Sequence, residues 1–466
     1  MFKPFFEKLR QAGSGNLFLG GRPLPVVIAT VALLAYAGCG AVMSDTTDTV
    51  RHVLLLVALW GFSAGPRALR NSAAFWLLAL ACAIPLASWA LSLLTHPQWA
   101  ENSPKVHRLT NLLGGIPVAY ALGTQTWRSR WMWLIAGAAL LLAPWLSGGG
   151  WAEIARGLQG QRIDFALHNA EHAGLYYATL GLGLLAALPW ILKMNERRWL
   201  VLLLWLVAIS AALVGILLVQ TRSMWLGLFA ALLLMGGLKG FQLIRHTTYR
   251  WLSAAALALA TVPLFVLFLN LNIVERRVTD EAGTIESLLS GNRAAIPFDS
   301  TGVRVHSWLA SLDWIAQRPL LGWGGRGRSL VIAQSAQFPE AIKPRYRHLH
   351  NSYLDVTTNY GLAGLALLLA LWGWLIRIAR QATRSGDLSP EMLHFFLCFM
   401  LLWAIVNSFE SFVFFSSGVY VFSLISGYIL SRHWRATLRA AAAGTTVEQA
   451  RDDHRETIDM SDNRHE

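Results

Sequence analysis

The sequence predicts an all-α polytopic membrane protein with about twelve transmembrane helices and one large outward loop containing amphipathic helices. Three observations predict it. Apolar residues make up 55% of the 466 residues and charged ones only 14%, with a mean hydropathy of +0.45. Runs such as "WLVLLLWLVAISAALVGILLV" (199–219) are long enough to cross a hydrocarbon core of roughly 30 Å. Basic residues recur in every second connection between such runs.

In chain order the apolar segments fall at about 24–43, 50–65, 73–95, 109–125, 131–147, 172–192, 199–220, 223–238, 251–271, 351–376, 392–409 and 414–430. The leading "MFKPFFEKLRQAGSGNLFLGGRP" is basic and lies too far from the first span for a cleaved signal peptide, which predicts a cytoplasmic start. "PRALRN", "WRSR", "KMNERR", "KGFQLIRHTTYR", "RIARQATRSG" and "SRHWRATLR" then alternate with "SDTTDT", "HPQWAENSPKVHR" and "FESFVFFSSG". Short cytoplasmic loops collect Lys and Arg, so every even-numbered span ends inside and both termini are cytoplasmic. The organisation that follows is nine spans within 1–271, a large loop over 272–350, three spans within 351–432 and a cytoplasmic tail over 433–466. The tail's polar stretch 441–466 holds few large apolar residues and predicts disorder.

Much of the net charge of +13 is accounted for by this alternation, which argues against nucleic acid as a partner. Cys39, Cys82 and Cys398 all fall in apolar runs, which leaves neither a disulfide framework nor a cysteine metal site. There is no repeat of 20–50 residues and no low-complexity tract.

The unusual material faces outward. The segment 148–171 and the segment 272–350, about 79 residues, are longer than turns require. Within the second, Val305, Trp308, Leu309, Leu312 and Ile315 follow helical spacing, which predicts an amphipathic helix capped by Ser300 or Thr301 and stopped before Pro319. Ten Lys and Arg residues stand against seven acids in 272–350, and 343–350 contains five basic or histidine side chains and no acid. Loops this long translocate regardless of charge, so topology leaves the excess unexplained. Arginine clusters suit phosphate, because guanidinium offers a planar fork of donors. Candidate ligands for an anion are therefore Arg304, Arg345 and Arg347, with Arg162 from the shorter outward segment. Arg222 joins them, set between two apolar runs in a tight turn beside Gln220 and Thr221.

"RYRHLHNSYLDVTTNYGLAGL" (345–365) runs from this basic stretch into a span. A helix starting near His350 would align His350, Tyr353, Leu354, Thr357, Gly361 and Gly364 on one face. Small residues on that stripe would let a neighbouring helix approach. An imidazole near several arginines would have its protonated form disfavoured and could act as a base near neutral pH. His348, two residues away on a helix, would lean to the opposite side, and Asn351 would orient the ring or a sugar. Asp355 and Glu410 sit near outward ends, and no acid sits mid-span, which argues against a proton-coupled carrier.

The His-Asn pair, nine residues and Gly-x-x-Gly of "HNSYLDVTTNYGLAG" resemble the signature of bacterial O-antigen ligases, within the O-antigen ligase and polymerase superfamily. "GVRVHSWLASLDWIAQRPLLGWGGRG" is similar to the arginine-plus-"PLLGxG" stretch of that family. "TRSMWLGLFAALLL" resembles its arginine-bearing turn, and "HNAEHAGLYYATLGLGLL", with His172, its polar start to a middle span. The resemblance covers roughly 160–370. It implies glycosyl transfer at the periplasmic face of the inner membrane, from O-antigen polysaccharide on undecaprenyl pyrophosphate to a sugar hydroxyl of lipid A-core. It implies no cofactor, and no Asp-x-Asp pair occurs in the outward loops to suggest a metal. On this reading Arg222 and Arg304 neutralise the leaving pyrophosphate and His350 is the base of an inverting transfer. Arg162, His172, Gln220, Arg345, Arg347, His348, Asn351 and Tyr353 contact substrate, with membrane lipids the remaining partners. An O-antigen polymerase, a protein O-oligosaccharyltransferase and a lipid-linked glycan flippase are the alternatives.

Overall fold

The computed structural model describes residues 16–195, 197–245, 287, 296–336 and 338–462, and every regular element among them is a helix. Fourteen helices are used below: α1 (Pro23–Cys39), α2 (Ser44–Ala64), α3 (Ala73–Thr95), α4 (Gly115–Leu122), α5 (Thr126–Leu146), α6 (Gly150–Leu158), α7 (Ala170–Leu192), α8 (Arg198–Leu218), α9 (Arg222–Arg245), α10 (Ser300–Gln317), α11 (Gly327–Gln334), α12 (Ser352–Arg384), α13 (Pro390–Val406) and α14 (Ser416–Asp462). Most predicted segments coincide with one of these. The segment 251–271 and most of 272–295 lie outside the described residues.

Six helices are long and apolar enough to cross a membrane: α3, α5, α7, α8, α12 and the Arg222–Gly240 part of α9. The chain is a multi-pass membrane protein. Leu203, Leu204, Leu206 and Val207 of α8 are exposed, as residues facing hydrocarbon rather than water should be. Helices α1 and α13 are apolar but shorter. The predicted span 109–125 is broken into His107–Thr110, a 3₁₀ turn at Asn111–Leu113, and α4. Gly114 and Gly115 sit at the break and let α14 pass close by, where Ser423 and Ser426 meet them. Helix α14 continues to Asp462, whereas the composition of 441–466 predicts coil.

Side-chain contacts sort the connections into two groups. At one end Trp434 donates to Ser72 Oγ at 3.1 Å, Ser431 to the Gly123 carbonyl at 2.8 Å, and Arg435 and Arg439 reach Asp387 at 3.2 and 2.9 Å. These are the basic connections of the alternating pattern. At the other end Arg108 binds the Gly325 carbonyl, and the segments around 160, 171, 220, 304, 348 and 410 meet one another.

Helix α12 holds the second group in register. Gly361 has φ 64° and ψ −165° inside it, which breaks the helix without ending it. The Pro319–Gly324 turn fills the break: Leu362 N donates to Pro319 O (2.7 Å), Ala363 N to Leu320 O (3.1 Å), Trp323 N to Thr358 O (3.0 Å) and Gly324 N to Asn359 O (2.9 Å). A Cβ at Gly361 would overlap the Leu320 carbonyl, so only glycine serves there. Gly361 thus admits a turn, not the neighbouring helix that the spacing of small residues suggests.

The amphipathic helix is present as α10, with two corrections. Its cap is Asp299, whose side chain accepts from Thr301 N and Gly302 N, rather than Ser300 or Thr301. Its buried face is Gly302, Val303, Ser307, Ala310 and Ser311, while Leu312 is exposed. Close packing selects the small side of this helix, and the larger apolar residues lie to its flank. Trp308 still contributes, donating from Nε1 to the Leu349 carbonyl at 2.8 Å.

Candidate functional site

His350 lies before α12, not on it. Residues 346–350 form no regular element, and α12 begins at Ser352 with Asn351 as its cap. The Asn351 side-chain oxygen accepts from Tyr353 N (3.0 Å) and Leu354 N (3.1 Å). The backbone on both sides of His350 is tied down. Leu349 N donates to Asp355 Oδ1 at 3.0 Å, and Ser352 N to Asn407 O at 2.8 Å. Asp355 is fully buried and also takes Arg328 Nη1 at 3.1 Å. Between these anchors His350 adopts φ 50°, the left-handed region that a histidine enters at a cost of roughly 1–3 kcal/mol. Strain held by surrounding contacts is common where a side chain must be aimed.

It is aimed at Glu410, in the α13–α14 connection. His350 Nδ1 lies 3.2 Å from Glu410 Oε2, and His348 Nε2 lies 3.1 Å from Glu410 Oε1. The two imidazoles are themselves 3.2 Å apart, Nε2 to Nδ1. In non-helical chain, residues i and i+2 point the same way. The two histidines therefore share one partner instead of leaning apart. Arg345 and Arg347 lie near His350 in the chain and are exposed, and the charge in direct contact with its ring is an acid. Glu410 is only 3% exposed. Burial alone would raise its carboxyl, but hydrogen bonds from His348 and His350 and their charge hold it well below the usual carboxylate range. The carboxylate is thus kept ionised.

A second cluster forms around Glu171, at the start of α7. Arg162 Nη2 lies 3.4 Å and Arg304 Nη2 3.6 Å from its Oε1, and Ser223 Oγ donates to its Oε2 at 2.7 Å. Arg222 opens α9 one residue before Ser223 and is half-buried. The arginines singled out at 162 and 304 thus converge on one acid, and Arg222 is the chain neighbour of the serine bound to it. Arg345 and Arg347 are exposed beside the histidines.

The Phe415 ring packs against His348 and against His168 and His172, which stand on either side of Glu171 in sequence. Its centroid is 5.2 Å from the His348 ring, 4.9 Å from His172 and 5.4 Å from His168. His172 is fully buried, with Nδ1 against Ser417 Oγ. Two other candidates hold the scaffold together. Gln220 is buried and donates to the Gly160 carbonyl at 3.0 Å, and the Tyr353 hydroxyl donates to Ala404 O at 2.7 Å.

Residues 205–369 match the family described as O-antigen ligase. That match supports an O-antigen ligase/polymerase superfamily assignment for this stretch of the chain. No curated protein matches the chain. The superfamily stretch carries Arg222, Ser223, Arg304, Arg328, His348, His350 and Asp355, and it includes Gly361. Both acids at the cluster centres, Glu171 and Glu410, lie outside it. The sequence signal for Glu171 is its place inside "HNAEH", an acid between two histidines. The signal for Glu410 is being the one acid in "FESFVFFSSG".

His348, His350 and Glu410 also offer three metal-ligand atoms within 4.8 Å of one another. An ion there would occupy His350 Nδ1 and Glu410 together. The separations of 3.1–3.2 Å equally suit direct hydrogen bonds.

Proposed function

We propose that this protein is an O-antigen ligase, transferring O-antigen polysaccharide from undecaprenyl pyrophosphate to a sugar hydroxyl of lipid A-core at the periplasmic face of the inner membrane. The observation that carries the reading is the His350–Glu410 pair, with the Phe415 ring between His348 and His172, the residue that follows Glu171 of the arginine cluster. A base beside an anion-binding group is what this reaction needs, because it removes a proton from one partner and frees pyrophosphate from the other.

The Glu410 carboxylate favours the His350 tautomer with hydrogen on Nδ1, leaving Nε2 as the acceptor. Nε2 takes the proton of the acceptor hydroxyl as its oxygen attacks the anomeric carbon. The bond from that carbon to the pyrophosphate oxygen breaks on the opposite side, so the anomeric centre inverts. The leaving pyrophosphate carries its electrons away against Arg222 and Arg304. His350, now protonated and stabilised by Glu410, returns its proton to solvent. Arg345, Arg347 and His348 line the approach, with His172 behind Phe415.

The test of function is reconstitution of the full chain with lipid-linked polysaccharide and lipid A-core, scoring which acceptor is extended. Product on lipid A-core is expected. Elongation solely on undecaprenyl pyrophosphate identifies a polymerase instead, and modification of a protein hydroxyl an oligosaccharyltransferase. The twelve-span layout is tested by cysteines at Ser335 and Ser385. The first should react with an impermeant thiol reagent added to the periplasmic side and the second should not; reversed labelling rejects the layout.

A further inference from the structure

We infer that Glu171 is an exchangeable counter-ion, an internal competitor that occupies the arginine cluster when the polyprenyl pyrophosphate is absent and yields to it on binding. The inference rests on the reading that Arg304 holds pyrophosphate. Its ground is the uneven way the carboxylate is held. The contact with Ser223 is short, at 2.7 Å, while those with Arg162 and Arg304 are long, at 3.4 and 3.6 Å. Glu171 also has a stable position independent of the arginines. It occupies the first turn of α7, where Asn169 Oδ1 caps its backbone N–H at 2.8 Å and the helix dipole favours an acid. The carboxylate can therefore stay on Ser223 while the guanidinium groups turn to another anion.

Pyrophosphate is that anion. Its oxygens accept bidentate contacts from guanidinium, and its charge exceeds that of one carboxylate. A carboxylate left in direct contact with it would be a like-charge neighbour, so the two compete for the same forks. In the empty protein Glu171 keeps the arginines of the 148–171 segment and of α10 neutralised and adjacent. After transfer it competes with the product lipid and speeds its departure.

The experiment is binding of undecaprenyl pyrophosphate to the full-length chain in detergent micelles. Glu171→Gln keeps the size and the hydrogen bond with Ser223 but removes the charge, and should tighten binding about threefold to tenfold, the scale of one or two partly exposed ion pairs. Glu171→Asp keeps the charge but draws it back by one methylene, and should tighten binding by less. Asp decides the matter if Gln fails to fold. Binding unchanged within about twofold, or weakened, in the folded variant overturns the inference. Arg304→Ala separates the two failures. If it leaves binding intact, the pyrophosphate reading itself falls. If it weakens binding while the Glu171 variants do not tighten it, only the exchange role falls.

Discussion

The two acid-centred clusters use the same chemistry in opposite ways. Glu410 is 3% exposed and grips two histidines at 3.1 and 3.2 Å, with the backbone on either side of His350 fastened to α12 and α13. Glu171 is 12% exposed and reaches Arg162, nine residues away, at 3.4 Å and Arg304 of α10 at 3.6 Å. A group that moves a proton must be aimed before substrate arrives, and reorganisation there costs rate. A group that binds and releases a large lipid must let go. Tightness at one cluster and looseness at the other suit those two tasks.

The largest effect should come from the tight cluster. His350→Ala is expected to lower turnover at saturating acceptor by roughly 10²–10⁴, the usual worth of a general base, with undecaprenyl pyrophosphate binding unchanged. Near-normal turnover, or loss of donor binding, would remove His350 from that role. Glu410→Gln should cost about 10²-fold in turnover, because the amide no longer selects a tautomer or stabilises the charged ring. His348→Ala should cost about tenfold, more than a residue on the far side of a helix would, since it shares Glu410.

Next comes the loose cluster. Arg304→Ala should weaken donor binding by about tenfold or more, and Lys should restore only part, since a point charge lacks the fork. If Lys restores all of it, charge alone suffices and the bidentate reading fails. Adding a chelator should leave turnover unchanged if hydrogen bonds hold the histidine–Glu410 group together. Activity lost to the chelator and regained with a divalent ion would instead make it a metal centre.

The smallest effects are on stability. The depressed Glu410 carboxyl contributes stability that is fully present above its ordinary value of 4.5 and lost as pH falls through its lower folded value. The Tm gap between wild type and Glu410→Gln, corresponding to about 1–3 kcal/mol, should persist down to about pH 4.5 and close only below it. A gap that closes between pH 7 and 5 would contradict the assigned sign.

The helices were legible because long apolar runs have few alternatives, and the segment bearing His350 was legible because its arginine excess had no topological cause. The partners were not. Glu410 is 60 residues from His350 in sequence and Glu171 is on another helix, and only tertiary packing brings them in. His350 does not share the face of α12 for two local reasons. The residue precedes the helix in a left-handed conformation, and Gly361 then interrupts the helical phase. The buried face of α10 is not legible from the spacing of large apolar residues, because close approach favours Gly302, Ser307 and Ala310.

The turn lodged in α12 makes residues 319–362 a closed ring of chain, sealed where Leu362 N meets Pro319 O. Both ends of the ring belong to the scaffold, and His350 hangs on its returning limb. Lengthening such a ring costs only about 0.6 kcal/mol per doubling of its loop. An epitope or fluorescent reporter spliced at exposed Glu340 or Ala341 would therefore leave the seal and the histidine in place, marking this loop while the protein still works.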